Sequence, residues 1–186
     1  MELHCLENKS ILITGASGFI GSFMVERALA EGMEVWAAVR PTSSRRYLTD
    51  DRIHFIELDL SDELHLQHQL EDHLKEVGGR PFDYVIHAAG ATKCRRAEDF
   101  FTINAEGTGR LALTLLGTQA LLPTGRFVFI SSLSVMGPLH EKDGKDIMAS
   151  ELARPNTAYG ASKLQAESML ADIRDLNYVV LRPTGV

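Results

Sequence analysis

The sequence is poor in cysteine, and this shortage excludes a disulfide scaffold and most cysteine-based metal sites. Only two cysteines occur among 186 residues, Cys5 and Cys94, and their spacing fits neither a metal site nor a redox pair. A reduced, cytoplasmic setting is therefore expected. His65 and His68 lie near carboxylates on a polar predicted helix, but a solvated helix face is the preferred interpretation. No metal is expected.

Long apolar runs and an excess of basic residues are also missing. No apolar stretch approaches the roughly 20 residues of a membrane-spanning helix, and the N-terminus has no signal-peptide pattern. The formal net charge is -6, which leaves no basic field to hold the phosphates of a nucleic acid. Neither a membrane nor a nucleic acid is expected as a partner. With 45% hydrophobic residues, a chain of this length is expected to form one domain.

Short apolar runs alternate with helical patterns along the whole chain. Most of these runs are apolar on both faces, which is typical of a parallel sheet covered by helices on each side. The sequence therefore predicts an α/β fold with a doubly wound parallel sheet, whose ligands bind beyond the carboxyl ends of the strands. Strands are predicted at 11–13, 34–39, 53–58, 84–89, 126–130 and 178–181, and helices at 19–31, 62–77, 98–120 and 157–176.

A glycine-rich turn joins the first predicted strand to the first predicted helix. Such a turn gathers backbone N–H groups at a helix N-terminus, which is a favourable place for a phosphate. Gly15 is expected to allow the tight turn, Gly18 to let a pyrophosphate approach, and Gly21 to let the helix pack on the strand. By itself, the turn is equally compatible with an ordinary strand-to-helix connection.

The ends of the next strands supply candidate contacts to a dinucleotide. Arg40 follows the second strand, at a position where a carboxylate would favour NAD. An arginine there can pair with the 2′-phosphate of NADP, so NADP is preferred over NAD. The alternative is that Arg40 is an ordinary surface arginine. Asp59, after the third strand, fits a contact to adenine or a helix cap. Ala88, Ala89 and Gly90 leave room for a cofactor after the fourth strand. His87, just before them, is interpreted as a packed histidine rather than as a catalyst.

Three residues in the second half of the chain predict proton-transfer chemistry. Tyr159 and Lys163 are four apart in a predicted helix, so their side chains lie on one face. A lysine ammonium beside a tyrosine favours the phenolate form. Ser132, which follows the fifth strand, is placed to hydrogen-bond a substrate oxygen. Each feature arises often by chance, but their joint occurrence in this order after a glycine-rich turn makes coincidence a poor explanation.

These segments together resemble the motifs of the extended branch of the short-chain dehydrogenase/reductase superfamily, which includes nucleotide-sugar epimerases and dehydratases. The resemblance covers essentially the whole chain and implies a Rossmann fold, NAD(P) and a homodimer. It also implies that Asn104 supports the active site. The segments that carry it are Thr14–Gly21, Asp59–Asp62, His87–Gly90, Asn104, Ser131–Gly137, Tyr159–Lys163 and Leu181–Val186.

The resemblance implies two sets of site residues. The catalytic set comprises Ser132, Tyr159 and Lys163. The cofactor-binding set comprises Gly15, Ser17, Gly18, Phe19, Ile20, Gly21, Arg40, Asp59, Leu60, Ala88, Ala89, Gly90, Thr92, Lys163 and Pro183.

The sequence departs from the family pattern in two ways. Met136 stands where the family usually has a tyrosine, and the C-terminal part that builds most of the substrate pocket is absent. Residues 1–186 are therefore expected to be the NAD(P)-binding domain without its substrate domain. The predicted function is that of an NAD(P)-dependent oxidoreductase or nucleotide-sugar epimerase/dehydratase acting on a nucleotide sugar or a carbonyl or hydroxyl compound. The alternative is a cofactor-binding sensor or assembly protein without chemistry.

Overall fold

A computed structural model describes residues 6–138 and 152–184. Cys5 lies outside the described residues. So do residues 139–151, and Gly185 and Val186 at the end of the last motif.

The described residues form a sheet of six parallel strands in the order β3-β2-β1-β4-β5-β6, which confirms the predicted doubly wound sheet. The order reverses between β1 and β4, since the chain leaves β1 toward one edge and returns from β3 to the other side of β1. A crevice therefore opens beyond the carboxyl ends of β1 and β4. The strands are β1 (Ser10–Thr14), β2 (Glu34–Val39), β3 (His54–Glu57), β4 (Phe82–His87), β5 (Leu121–Ile130) and β6 (Tyr178–Leu181).

Helices cover both faces of this sheet. On one face, α1 packs Val25 and Leu29 against the β-branched residues of β1 and β2. On the other face, α2, α4 and α5 bury a larger cluster around Phe127. Two apolar layers explain why the central strands are apolar on both sides. The helices are α1 (Phe19–Ala30), α2 (Glu63–Glu76), α3 (Ala97–Phe100), α4 (Gly107–Gly117) and α5 (Ala158–Asp172).

The helical segment predicted at 98–120 is present from Ala97 to Gly117, but it is not α-helical throughout. A π-helical turn, Phe101–Glu106, separates α3 from α4, and α4 ends at Gly117 because Gln119 adopts a left-handed φ of 58°. The wide turn coincides with a side-chain bond from the Thr108 hydroxyl to the Asn104 carbonyl oxygen at 2.6 Å. A π-helical turn inside a helix is often found at a functional site.

Two other boundaries differ from the prediction by four residues or more, and the rest differ by at most two. β5 begins at Leu121 rather than 126, because its pairing with β4 continues across a register shift between Phe82 and Tyr84. Pro123 and Gly125 gave this segment the appearance of a loop. The last helix, α5, ends at Asp172 rather than 176. Within the described residues, no helix is both long enough and apolar enough to cross a bilayer.

Candidate functional site

Gly15 and Gly21 allow three backbone segments to meet at the carboxyl end of β1. Gly15 has a left-handed φ of 68°, and a Cβ there would lie 2.6 Å from the Ala88 carbonyl carbon and the Ala89 nitrogen. A Cβ on Gly21 would collide with the Gly15 carbonyl group. The two glycines therefore bring β4 and α1 against the turn more closely than any other residue would permit.

Gly18 leaves the N-terminus of α1 accessible to a ligand. It is the N-cap residue, no side chain caps the helix, and its first turn contains no acidic residue. A Cβ on Gly18 would meet only the Gly15 carbonyl oxygen, at 3.2 Å. The amides of Phe19, Ile20 and Gly21 have no intrahelical acceptor, as in any first turn. This uncapped, electropositive terminus fits an anionic group such as a pyrophosphate.

The residues beside Gly18 differ in exposure. Phe19 is 64% exposed and makes an edge-to-face contact with Phe23, at 5.2 Å between ring centroids. Ser17 and Ile20 are half-buried. An exposed phenylalanine at the mouth of the crevice leaves an apolar surface next to the helix terminus.

Arg40 lies exposed at the carboxyl end of β2. The Arg40 amide donates to the Ser43 hydroxyl at 3.0 Å, and the Ser43 amide donates to the Arg40 carbonyl oxygen at 2.9 Å, so a tight turn holds the backbone here. Arg45 lies over the Phe55 ring and Arg46 over the Tyr47 ring. Among the contacts of the described residues, the Arg40 side chain has no ion pair, so its charge is available to a ligand.

Asp59 and Leu60 follow β3. One Asp59 carboxylate oxygen accepts from the Ser61 hydroxyl at 2.6 Å and the Ser61 amide at 2.9 Å, and these bonds lower the pKa of the Asp59 carboxyl. Asp62 caps α2 by accepting from the His65 amide at 2.8 Å, so the helix-cap role considered for Asp59 is wrong. Leu60 is half-buried.

Small residues keep the carboxyl end of β4 open. Ala88 and Ala89 are half-buried there, and Thr92 lies exposed in the following loop. A Cβ on Gly90 would lie 3.0 Å from Asn104 Oδ1 and 3.3 Å from Lys163 Nζ. Any larger residue at position 90 would therefore press on both of these groups.

Lys163 is buried, with 4% of its surface exposed. Its Nζ donates to the Ile130 carbonyl oxygen at 2.9 Å and lies 4.7 Å from the centroid of the Phe129 ring. Burial lowers the pKa of the Lys163 ammonium to about 8, although the Glu167 carboxylate opposes this shift. Tyr159, one turn earlier on α5, is half-buried and makes an edge-to-face contact with Phe100.

Ser132 begins a 3₁₀ turn, Leu133–Met136, after β5. Its hydroxyl oxygen accepts from the Ser134 amide at 3.1 Å, and its proton is donated to the Ser134 hydroxyl at the same distance. Pro183, after β6, is half-buried and accepts from the Leu133 amide at 2.9 Å. The turn that carries Ser132 is thereby fixed to the ends of both strands.

Sequence reasoning missed Glu167, which lies one turn beyond Lys163 on α5. The Glu167 carboxylate accepts from Arg182 at 2.6 and 3.0 Å and from the Ser131 hydroxyl at 2.5 Å. It is largely buried, so these contacts join α5 to the ends of β5 and β6. Glu167 is four residues after Lys163, and this spacing in a predicted helix could have indicated that the two side chains lie on one face.

Sequence reasoning also missed Thr14 and Thr108, whose hydroxyls bond to His87. Nothing in the sequence singles out two threonines separated by more than ninety positions. His65 and His68 are exposed on α2, and within residues 6–138 and 152–184 no three potential metal ligands come together.

The depressed pKa of Lys163 predicts a pH-dependent stability. Between pH 8 and 10.5 the unfolded chain binds this proton and the folded chain releases it, so stability falls as pH drops through this window. Relative to Lys163→Met, the wild type should lose up to about 1.4 kcal/mol of unfolding free energy for each unit by which the pH falls within this window. Urea unfolding of both proteins at several pH values measures the difference. Parallel pH curves for the two proteins would contradict the shift.

The parallel sheet, the crevice beside β1 and the uncapped glycine-rich helix start define a Rossmann-type nucleotide-binding domain. The sequence model of the NAD dependent epimerase/dehydratase family matches residues 11–186. The chain belongs to that family.

Relatives of known type support this assignment. The chain is 29% identical to the UDP-glucose 4-epimerase of Mus musculus, over 89% of this chain and 49% of the relative. It is also 29% identical to the short-chain dehydrogenase RED1 of Pyricularia oryzae, over 71% of this chain and 49% of the relative. The UDP-glucose 4-epimerase of Thermus thermophilus, solved in complex with NAD, superposes with a TM-score of 0.74 at 28% identity, over 93% of this chain and 54% of that one. The chain thus spans about half the length of these relatives.

Proposed function

We propose that the chain is the dinucleotide-binding domain of a nucleotide-sugar epimerase or dehydratase, or of a related oxidoreductase. The main support for this proposal is the uncapped start of α1 at Gly18. The amides there face an open crevice, and no side chain of the first turn accepts a hydrogen bond from them. The epimerases among the relatives support a nucleotide sugar as the substrate. Residues 1–186 are proposed to supply the cofactor site, and the residues that recognise the sugar are proposed to lie elsewhere.

The residues at the carboxyl ends of the strands fit the cofactor. The amides of Ser17, Phe19, Ile20 and Gly21 would hold the pyrophosphate, while the Gly18 amide donates to the Gly15 carbonyl oxygen at 2.9 Å. Asp59 and Leu60 would border the adenine. Ala88, Ala89 and Gly90 would leave space for the ribose, while Thr92, Lys163 and Pro183 would border the nicotinamide half. When bound, the nicotinamide ring supplies or takes up a hydride.

The chain's own chemistry is proton transfer. Tyr159 is proposed to exchange its hydroxyl proton with the substrate oxygen, and Ser132 to hydrogen-bond that oxygen. The Lys163 ammonium, one turn from Tyr159, would favour the phenolate by its charge, which is weakly screened because Lys163 is buried. Whether the oxidised substrate is released or reduced again decides between dehydrogenation and epimerisation. The residues outside this chain are proposed to control that choice.

A binding titration and a turnover assay together test this function. Titration of the chain with NADH and NADPH, followed by the fluorescence of the reduced nicotinamide, should show saturable binding at one site. Interconversion of UDP-glucose and UDP-galactose, and reduction of a carbonyl panel, should then be assayed at saturating cofactor. Saturable binding without any turnover would favour the sensor or assembly protein, and the absence of binding would contradict both functions.

The Arg40 side chain predicts a preference for NADP over NAD. The guanidinium lies at the end of β2, where it would pair with a 2′-phosphate, so Arg40→Ala should weaken NADPH binding about tenfold and change NADH binding little. Arg52→Ala is the matched control, because Arg52 is an exposed arginine paired with Asp50 at 2.7 Å. Equal losses for the two cofactors in Arg40→Ala would contradict the 2′-phosphate contact.

A homodimer and a cytoplasmic location remain part of the proposal. Leu111 and Leu115 are fully buried in the core, so these two side chains are not available as dimer contacts. Ile103, in the π-helical turn, and Leu113, in α4, are about half exposed, and these two side chains are the proposed dimer contacts.

A further inference from the structure

A buried chain of hydrogen bonds runs through His87 from β1 to the π-helical turn. Thr14 Oγ1 lies 2.6 Å from His87 Nδ1, and His87 Nε2 lies 2.9 Å from Thr108 Oγ1. The Thr108 hydroxyl donates to the Asn104 carbonyl oxygen at 2.6 Å, and the Ala89 amide donates to the Thr14 hydroxyl at 3.3 Å. Thr14, His87, Thr108 and Asn104 are each at most 2% exposed, so water does not complete these bonds.

The donors and acceptors of this chain permit a single tautomer. A threonine hydroxyl has one proton, and Thr108 gives its proton to the Asn104 carbonyl oxygen. His87 Nε2 must therefore carry a proton and donate it to Thr108. In the neutral imidazole Nδ1 is then the acceptor, so Thr14 donates to it and accepts from the Ala89 amide. Each group in the chain is satisfied.

Burial, together with a nearby positive charge, keeps the His87 imidazole neutral. His87 lies opposite Phe129 in the β4–β5 register and stacks on its ring at 5.8 Å, while Lys163 Nζ lies 4.7 Å from the centroid of the same ring. Complete burial and the Lys163 ammonium lower the pKa of His87 to about 3. Lys163 is therefore the member of the pair that takes up a proton first as pH falls.

The hydrogen bonds continue from Asn104 to the residue beside Lys163. Asn104 Oδ1 accepts from the Ala91 amide at 2.7 Å, and Nδ2 donates to the Ala91 carbonyl oxygen at 3.0 Å and to Ser162 Oγ at 3.1 Å. Ser162 immediately precedes Lys163 on α5. Asn104 lies in the π-helical turn, so the position of its side chain depends on that turn. The Thr108 hydroxyl bonds to the Asn104 carbonyl oxygen and so links this turn to His87.

We propose that His87 is a positioning residue. Held as the Nε2-protonated imidazole between Thr14 and Thr108, it fixes the glycine-rich turn relative to the Asn104 turn and so to Lys163. Its importance for turnover rests on the proposed function, but the coupling is a property of the fold alone. His87 touches neither substrate nor cofactor in this proposal.

The tautomer can be tested directly on the wild-type chain. Long-range ¹H–¹⁵N correlation spectra of the imidazole should show a protonated Nε2 and an unprotonated Nδ1 for His87, unchanged between pH 5 and pH 8. His65 and His68 are exposed on α2, and their imidazole signals serve as solvent-exposed references in the same spectra. A protonated Nδ1, or titration of His87 within this range, would overturn the proposal.

The coupling can be tested with a pair of threonine variants. Thr108→Val removes the bond to His87, whereas Thr114→Val removes an equivalent bond on the same helix, from the Thr114 hydroxyl to the Arg110 carbonyl oxygen at 2.8 Å. Amide exchange at Ala91, whose N–H bonds to Asn104, should accelerate about tenfold in Thr108→Val, the equivalent of one hydrogen bond. In Thr114→Val it should stay unchanged. Equal acceleration in the two variants would show that His87 has only a structural role.

A third variant separates this proposal from the proposed function. Thr14→Val breaks the other end of the chain of bonds, and it should also accelerate exchange at Ala91 by a similar factor. Neither the spectra nor the exchange rates require cofactor binding or turnover, so they are informative even if the chain proves inactive. In an active protein, Thr108→Val should lower kcat and leave KM nearly unchanged, as expected when the reacting groups are misplaced. Unaltered exchange at Ala91 in Thr14→Val would contradict the coupling.

Discussion

Tyr159→Phe is expected to abolish turnover while leaving the affinity for the dinucleotide within about twofold, since general acid–base catalysis typically contributes 10² to 10⁴ in rate. The substitution removes only the hydroxyl that is proposed to exchange a proton with the substrate oxygen. The phenyl ring remains and keeps its edge-to-face contact with Phe100. Lys163 also remains buried, so the shape of the proposed cofactor site is expected to be preserved.

Tyr178→Phe provides the matched control. Tyr178 begins β6 and is partly buried against the core at the amino end of the sheet, away from the proposed site. Turnover at saturating substrate and a cofactor titration should be measured for both variants. Undiminished turnover in Tyr159→Phe would refute the catalytic assignment, and equal losses in both variants would point to damage of the fold.

Gly15→Ala is expected to destabilise the domain by about 2–5 kcal/mol, a large part of the 5–15 kcal/mol that holds a typical domain folded. Two costs add at this position. A left-handed φ costs a residue with a Cβ about 1–2 kcal/mol, and displacing the backbone of Ala88 and Ala89 adds about 1–3 kcal/mol. The same displacement would move the glycine-rich turn, so dinucleotide affinity should also fall.

Gly78→Ala separates these two costs. Gly78 has the same φ of 68°, but a Cβ there meets nothing within 4 Å. Gly78→Ala should therefore lose only the free energy that a left-handed φ costs an alanine, and it should keep its dinucleotide affinity. Urea unfolding and cofactor titration of both variants measure the difference. Equal destabilisation would show that the close approach of β4 to the turn is not what demands glycine at position 15.

The sequence predicted the elements of the sheet better than their boundaries. Apolar runs with β-branched residues located all six strands, because burial on both faces leaves a strong pattern. The start of β5 was missed because Pro123 and Gly125 are turn residues by local preference, and pairing with β4 overrides that preference. The π-helical turn was missed because a single wide turn within a helical segment has no periodic signature of its own.

The candidate site was predictable where it depends on local chemistry. Glycines in a strand-to-helix turn and a Tyr-x-x-x-Lys spacing are visible in the sequence, and the structure places both at the same edge of the sheet. The environment of each side chain was not predictable. The burial that lowers the pKa of Lys163, and the Glu167 contacts with Arg182 and Ser131, depend on elements that meet only in the folded chain.

The strand order has a consequence for synthesis of the chain on the ribosome. β1 lies between β2 and β4, and Thr14 meets His87 across 73 positions of sequence. At about 5–20 residues per second, the ribosome needs roughly 4–15 s to make that stretch. During that interval β1 can pair only with β2, and its other edge stays unpaired. Such an edge can join a foreign strand, so the nascent domain is most exposed to misassembly in the seconds before β4 emerges.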